Sequence, residues 1–195
     1  MQGHVSILSV SPEAAAMIAS GGRISTMDGT ADEIYANSLS AGQEKNEKLI
    51  GKVLSSGHTS VLEHCYVNLS FENVSVLAEQ FLIEFRLASF TVKSRRYVDF
   101  SKAGYVSPVF TDNVQMAIFE RTVESLFGTY DVLDAAGVPK EDARFVLPYC
   151  FCSNFFCSMN ARELVHVMNE LAYGRGSRIP ELRAMGESLF AQCER

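Results

Sequence analysis

A chain of 195 residues, 47% hydrophobic and with a formal net charge of −6, can bury a sizeable core and is expected to form one domain over residues 1–195. The acidic balance argues against nucleic acid as a partner, which calls for a basic face, and no run approaches the roughly 18 apolar residues of a membrane span. The opening residues place no basic region ahead of an unbroken apolar core, so the expectation is an unexported, cytoplasmic protein.

In chain order, the alternation of His4 to Val10 predicts a strand. Ser11 as N-cap, Pro12 at the first helical position and Gly21-Gly22 as the stop then predict a helix. Residues 41–58 read as a second helix ending at Gly57, whose left-handed cap sets His58 at the mouth of the next loop. Residues 64–71 alternate again. From Val76 the spacing of Leu77, Phe81, Leu82 and Phe85 predicts a helix to about Ser89. Residues 113–137 form a long amphipathic helix stopped at Gly137. A short one follows, opened by Pro139 with Glu141 and Asp142 in its first turn. The aromatic run from Tyr149 to Met159 suits a strand or a buried segment, and two helices close the chain, over 160–173 and 180–193. The pattern is α+β, with few strands and several long helices.

Chemistry has three places to live. His58, Glu63 and His64 offer imidazole and carboxylate groups, but no pair stands at the helical spacing a zinc site needs, so no metal is expected. Between Phe85 and Phe100 lie four of the seventeen Lys and Arg residues, Arg86, Lys93, Arg95 and Arg96. Guanidinium forks beside the Ser94 hydroxyl suit phosphate oxygens, and the flanking Phe90 and Tyr97 suit a ring-bearing ligand. Arg144 sits among Phe145, Val146 and Leu147 and needs an anion or carbonyl partner. On the helix after it, Asn160 and Glu163 have capping-box spacing, and Arg162 and His166 share a face. Cys150, Cys152 and Cys157 lack paired CxxC spacing and neighbouring cations, and read as reduced core thiols. No nucleophile elbow and no Gly-rich phosphate loop is present.

In order, "GRIS", "SGHTSVLEH", "RLASFTVKSRRY", "GVPKEDARFVLP" and "NARELVH" resemble the segments of the flavin-dependent thymidylate synthases, over about residues 20 to 185. The resemblance implies that family's α+β fold and a homotetramer with active sites between subunits. It implies FAD as cofactor, dUMP as substrate, methylenetetrahydrofolate as the one-carbon donor and NADPH as the flavin's reductant. It further implies a flavin set of Ser25, His58, Ser60, Glu63, Arg86, Asn160, Arg162 and His166. Ser94, Arg95, Arg96 and Arg144 would hold the nucleotide, with Ser94 and Arg144 nearest the chemistry. Arg86, Arg96 and Arg144 would then converge on the deoxyuridylate beside the flavin.

The family frame runs Arg-His-Arg, two residues, Ser, one residue, Asn-Glu, one residue, Ser, one residue, Arg-Tyr. Here it reads Glu84, Phe85, Arg86, Ser89, Thr91, Val92, Ser94, Arg96, Tyr97, and Glu84 would repel an anion. Leu171 stands where the family carries an arginine; Arg175 or Arg178 would substitute if the chain bends at Gly174 and Gly176. A paralogue that binds flavin or nucleotide without methylating, or a non-catalytic homologue, shares the same residues.

Overall fold

The computed structural model describes residues 3–194. Strands β1 (His4–Val10), β2 (Tyr66–Ser75), β3 (Ala88–Val92) and β4 (Cys152–Asn160) form an antiparallel sheet in the order β1-β2-β4-β3. Register puts one side-chain row in line across the sheet: Val5 faces Phe71, which faces Phe155, and Leu69 faces Cys157, which faces Phe90. That face is covered by helices α1 (Ala14–Ile24), α7 (Ala161–Ala172) and α8 (Pro180–Cys193), through Ile18, Leu164, Val167, Leu171, Leu182 and Leu189. The period-2 alternation of the strands meets the 3.6-residue stripes of the helices, and this is where the main core lies. The opposite face leaves Leu8, Tyr66 and Phe156 exposed.

A second, smaller core holds Val76, Phe100, Tyr130, Ala143, Leu147 and Phe151. It joins α4 (Val76–Leu82), the long α5 (Asn113–Ala135) and the short α6 (Lys140–Ala143), which runs into a 3-10 turn, Arg144–Val146. Gly137 closes the end of α5 at φ +82°, as expected. Among the described residues no helix is long and apolar enough to cross a membrane, and no cluster of His, Cys, Asp and Glu could hold a metal ion.

The structure departs from the sequence reading in four places. Helix α1 does not stop at Gly21-Gly22 but runs on to Ile24. The glycines serve packing instead, since a Cβ at Gly21 would lie 2.9 Å from His64 Cδ2 and one at Gly22 would lie 3.2 Å from Val53 Cγ2. Ser11 does not cap that helix; its N–H donates to the Tyr66 carbonyl at 2.9 Å and its Oγ accepts from the Tyr66 N–H at 2.9 Å, extending the β1–β2 edge. Helix α2 (Ala31–Ala41), capped by a reciprocal Thr30–Glu33 box, stands where no element was expected, ahead of α3 (Gln43–Ser55). The helix from Val76 ends at Leu82 rather than Ser89, and Ala88–Val92 pairs with β4 as an edge strand. The β-branched and aromatic residues Phe90, Thr91 and Val92 satisfy the open hydrogen-bonding edge of β4, which a longer helix would leave bare.

Candidate functional site

Two neighbourhoods collect the residues singled out by sequence. The first is built on the 3-10 turn Thr59–His64 and the start of α7. Gly57, at φ +85°, ends α3 and turns the chain so that the His58 N–H donates to the Val53 carbonyl at 3.2 Å. His58 and Ser60 then stand exposed on the turn. Glu63 and Arg162, 99 positions apart, meet in an ion pair at 2.5 Å. One helical turn beyond Arg162, His166 lies edge-on to Phe85, ring centroids 5.5 Å apart. Asn160 caps α7, its Oδ1 accepting from the Glu163 N–H at 2.8 Å, which leaves its amide donors available. Ser25 ends α1, its Oγ donating to the Gly22 carbonyl at 3.2 Å. In the same "GRIS" segment Arg23 is structural, donating to Ser38 at 2.7 Å and Asn46 at 2.8 Å.

The second neighbourhood is the loop after β3 together with the turn carrying Arg144. The Lys93 N–H donates to the Asn154 carbonyl at 3.0 Å, and Val98 and Phe100 pack into the smaller core beside Ala143 and Leu147. The Arg96 loop and the Arg144 turn thus rest on one foundation. Arg96 is exposed, its guanidinium over the Tyr97 ring at 5.5 Å. Arg144 is half-buried, its Nε donating to the Glu141 carbonyl at 2.9 Å. The Ser94 Oγ accepts from the Arg96 N–H at 3.3 Å. A groove of about 320 Å³ opens beside the loop, with Thr91, Lys93, Asn154 and Phe156 in its walls.

Arg95, expected beside Arg96 on the nucleotide, turns inward instead. Its Nη2 meets the Glu79 carboxylate at 2.5 Å, with side chains only 18% and 2% exposed. Ser153 also donates to Glu79, and the Arg95 guanidinium lies over the Phe151 ring at 5.2 Å. Sequence reasoning missed Glu79 and Ser153; the available signal was a lone carboxylate on the apolar side of α4, next to Ala78 and one turn before Leu82.

Arg86, Arg96 and Arg144, expected to converge at a site between subunits, are divided between the two neighbourhoods in one chain. Arg86 precedes β3 and Arg96 follows it, and the strand between them, with Ala88 opposite Met159 and Val92 opposite Phe155, spans about 13 Å. Arg86 belongs to the end nearest Phe85 and His166, the first neighbourhood. Arg96 and Arg144 belong to the second.

Glu84 does not stand as a bare repulsive charge. Arg175 Nη1 meets it at 3.0 Å, and Arg175 Nε meets Glu170 at 3.3 Å. These two carboxylates hold the Arg175 guanidinium even further above its ordinary pKa. The same guanidinium lies 5.1 Å from the centroid of the Phe81 ring. Arg175 therefore brings a cation to the place where Glu84 stands in the motif frame. Leu171 is fully buried in the main core and offers nothing to a ligand. Burial holds Cys152 and Cys157 as thiols, raising them to about 11 and about 12, and in both the loss of hydration is the largest cause.

The exposed groups on the turn and on α7 include imidazoles, a hydroxyl and a guanidinium, and buried Asn160 stands beside them with its amide donors, a set that fits the carbonyls, ring nitrogens and phosphates of a dinucleotide cofactor. Arg86, exposed and without an ion pair among the described residues, adds a cation to that set.

A family model described as thymidylate synthase complementing protein, Thy1, matches residues 6–195. The flavin-dependent thymidylate synthase of Geobacter sulfurreducens is 34% identical over 166 residues, covering 83% of this chain and 70% of its own length. That of Nitratidesulfovibrio vulgaris is 31% identical over 202 residues, covering 97% and 82%. Among solved structures, thymidylate synthase X from Helicobacter pylori with FAD and dUMP superposes with a TM-score of 0.72 at 21% identity, over 97% of this chain and 92% of that one. The UMP/dUMP methylase PolB from Streptomyces cacaoi bound with 5-Br dUMP gives 0.74 at 21% identity, over 99% and 88%. At that identity the structural matches establish a shared fold.

Proposed function

The chain belongs to the Thy1 family of thymidylate synthase complementing proteins, and on that premise we propose that it is a flavin-dependent thymidylate synthase, methylating dUMP to dTMP. FAD is its cofactor, methylenetetrahydrofolate its one-carbon donor and NADPH its reductant. The observation that carries the reading is the Glu63–Arg162 pair at 2.5 Å, which joins two segments of the family resemblance, far apart in the chain, into one exposed face.

Bound flavin supplies the reducing equivalents, which is why the chain needs no protein nucleophile of its own. Its residues bind and orient. His58, Ser60, Arg162, His166, Arg86, Ser25 and the free amide of Asn160 hold the cofactor, with Glu63 fixing Arg162. Ser94 and Arg96 grip the nucleotide phosphate and base edge, and Arg144 polarises the pyrimidine from the adjoining turn. Preorganised charge of this kind counts most where water is excluded. That exclusion comes from a partner subunit, since the two neighbourhoods lie at opposite ends of β3 and a homotetramer can bring one protomer's nucleotide loop to its neighbour's flavin face. Exposed Val114, Met116 and Ile118 on α5, and Tyr66 and Phe156 on the outer sheet face, support such an assembly. The protein acts in the cytoplasm as one domain.

The test is rescue of a thymidine-requiring host together with the colour of the purified protein. Growth without thymidine and a yellow protein are expected. A colourless protein that ignores added FAD, with no rescue, refutes the reading. A yellow protein without rescue points to the paralogue that binds flavin but does not methylate, a reading favoured by Val92 and Thr91 standing in the paired edge strand where the family frame has an amide and a carboxylate.

A further inference from the structure

The Glu79–Arg95 pair is the one buried ion pair among the described residues, and it sits directly beneath the loop that carries Ser94 and Arg96. Its carboxylate comes from α4 and receives Arg95 from the loop, Ser153 from β4 and, at 3.3 Å, Gln80 Nε2. The loop is otherwise held by the Lys93 N–H on the Asn154 carbonyl, by the Val98 N–H on the Ser94 carbonyl at 3.1 Å, and by Val98 and buried Phe100 in the smaller core. Arg95 is the charged side chain of the loop that reaches inward, while Ser94 stays half-buried and Arg96 stands exposed.

A buried ion pair is a poor way to gain stability, because apolar residues of similar volume often do as well or better. Here the arrangement even leaves Arg95 Nε buried without a hydrogen-bond partner. What such a pair supplies is geometry, since a carboxylate with three donors accepts a guanidinium in one pose and no other. We propose that Glu79 is a positioning residue for the nucleotide loop: by seating Arg95 it fixes the outward stance of Ser94 and Arg96 before substrate arrives, so that binding does not have to order the loop. Arg95 on this view is an anchor and makes no contact with the nucleotide. The inference rests on the reading of Ser94 and Arg96 as nucleotide ligands.

The experiment compares the wild-type protein with the double variant Glu79→Met/Arg95→Met, which removes both charges and fills the space. Amide hydrogen exchange over residues 93–98 is followed without ligand, dUMP affinity by titration, and folding by thermal melt. The expected result is a melting temperature at or above that of the wild type, faster exchange at the Arg96 and Val98 amides, unchanged FAD binding, and dUMP affinity weakened by about tenfold, the scale of ordering a short loop on binding. A merely structural role predicts that apolar filling restores everything, so loop exchange and dUMP affinity equal to wild type overturn the proposal. If the double variant does not fold, Glu79→Gln, which keeps volume and loses the charge, is read the same way. If wild type itself does not bind dUMP, the nucleotide reading fails on its own, and loop exchange alone decides whether Glu79 holds the loop: protection unchanged in the variant refutes it.

Discussion

Two adjacent arginines should behave as opposites. Arg96 is exposed, makes no ion pair among the described residues, lies over the Tyr97 ring at 5.5 Å and, through its N–H, meets the Ser94 hydroxyl. Replacing it with alanine should change folding stability by no more than about 0.5 kcal/mol, as for other surface positions. If it grips a phosphate, the lost charge-assisted hydrogen bond costs about 1.5–3 kcal/mol of binding, or about 10- to 150-fold in dUMP affinity. Arg95→Ala strips the cation from a carboxylate that is only 2% exposed, which costs about 3–5 kcal/mol of folding free energy. At about 2–4 °C per kcal/mol for a domain of this size, the melting temperature should fall by about 6–20 °C. Calorimetric titration with dUMP, paired with a thermal melt of each variant, separates the two. Arg96→Ala binding dUMP like wild type would refute its role, and an unmoved melting temperature in Arg95→Ala would refute the buried pair.

Restoring the family's arginine at Leu171 should not restore a site: Leu171→Arg places a charge among Leu164, Val167 and Leu182 in the main core and should cost more than about 3 kcal/mol of stability, so a soluble variant with wild-type urea resistance would contradict the alignment of that helix. Arg175→Ala should weaken FAD binding a few-fold by leaving Glu84 uncompensated, and adding Glu84→Gln should return most of the loss; equal FAD affinity in both variants would remove Arg175 from the cofactor face. Burial raises Cys152 to about 11 and Cys157 to about 12 from an ordinary 9.0. Unfolded thiols ionise first, so these groups cost no stability below about pH 9 and drain it progressively as the pH climbs toward 11–12. Urea midpoints above pH 9 should therefore fall less steeply in Cys157→Ala than in wild type, and thiolate absorbance appearing in the native protein near pH 9 from all five cysteines would contradict the burial argument.

Periodicity and punctuation made much of the fold legible. β1 and β2 alternate up to their bulges, after Ile7 and after Phe71, because one face of the sheet meets helices, and α5 shows its Gly137 stop. Helix α4 was overextended for a physical reason: Phe81 and Phe85 keep helical spacing and Phe85 is buried either way, so local spacing cannot reveal that β4 has an edge to fill. Helix α2 gives a weak periodic signal because its apolar stripe is thin, burying only Ile34 and Ser38, although the Thr30–Glu33 spacing marks its cap. At the site, the motif segments place Glu63 and Arg162 in one set, but their ion pair does not follow from them. Which of Arg95 and Arg96 faces inward does not follow either, because it depends on Glu79, sixteen positions upstream on another element. The role of Arg175 likewise depended on a bend after α7 that brings it back to Glu84.

The most direct measurement is product formation by the purified protein loaded with FAD and given dUMP, methylenetetrahydrofolate and NADPH, with tritium release from labelled dUMP followed alongside mass detection of dTMP. The account predicts release and dTMP in step, both abolished without flavin and both reduced in Arg96→Ala. Tight flavin and dUMP binding with neither tritium release nor dTMP would contradict it.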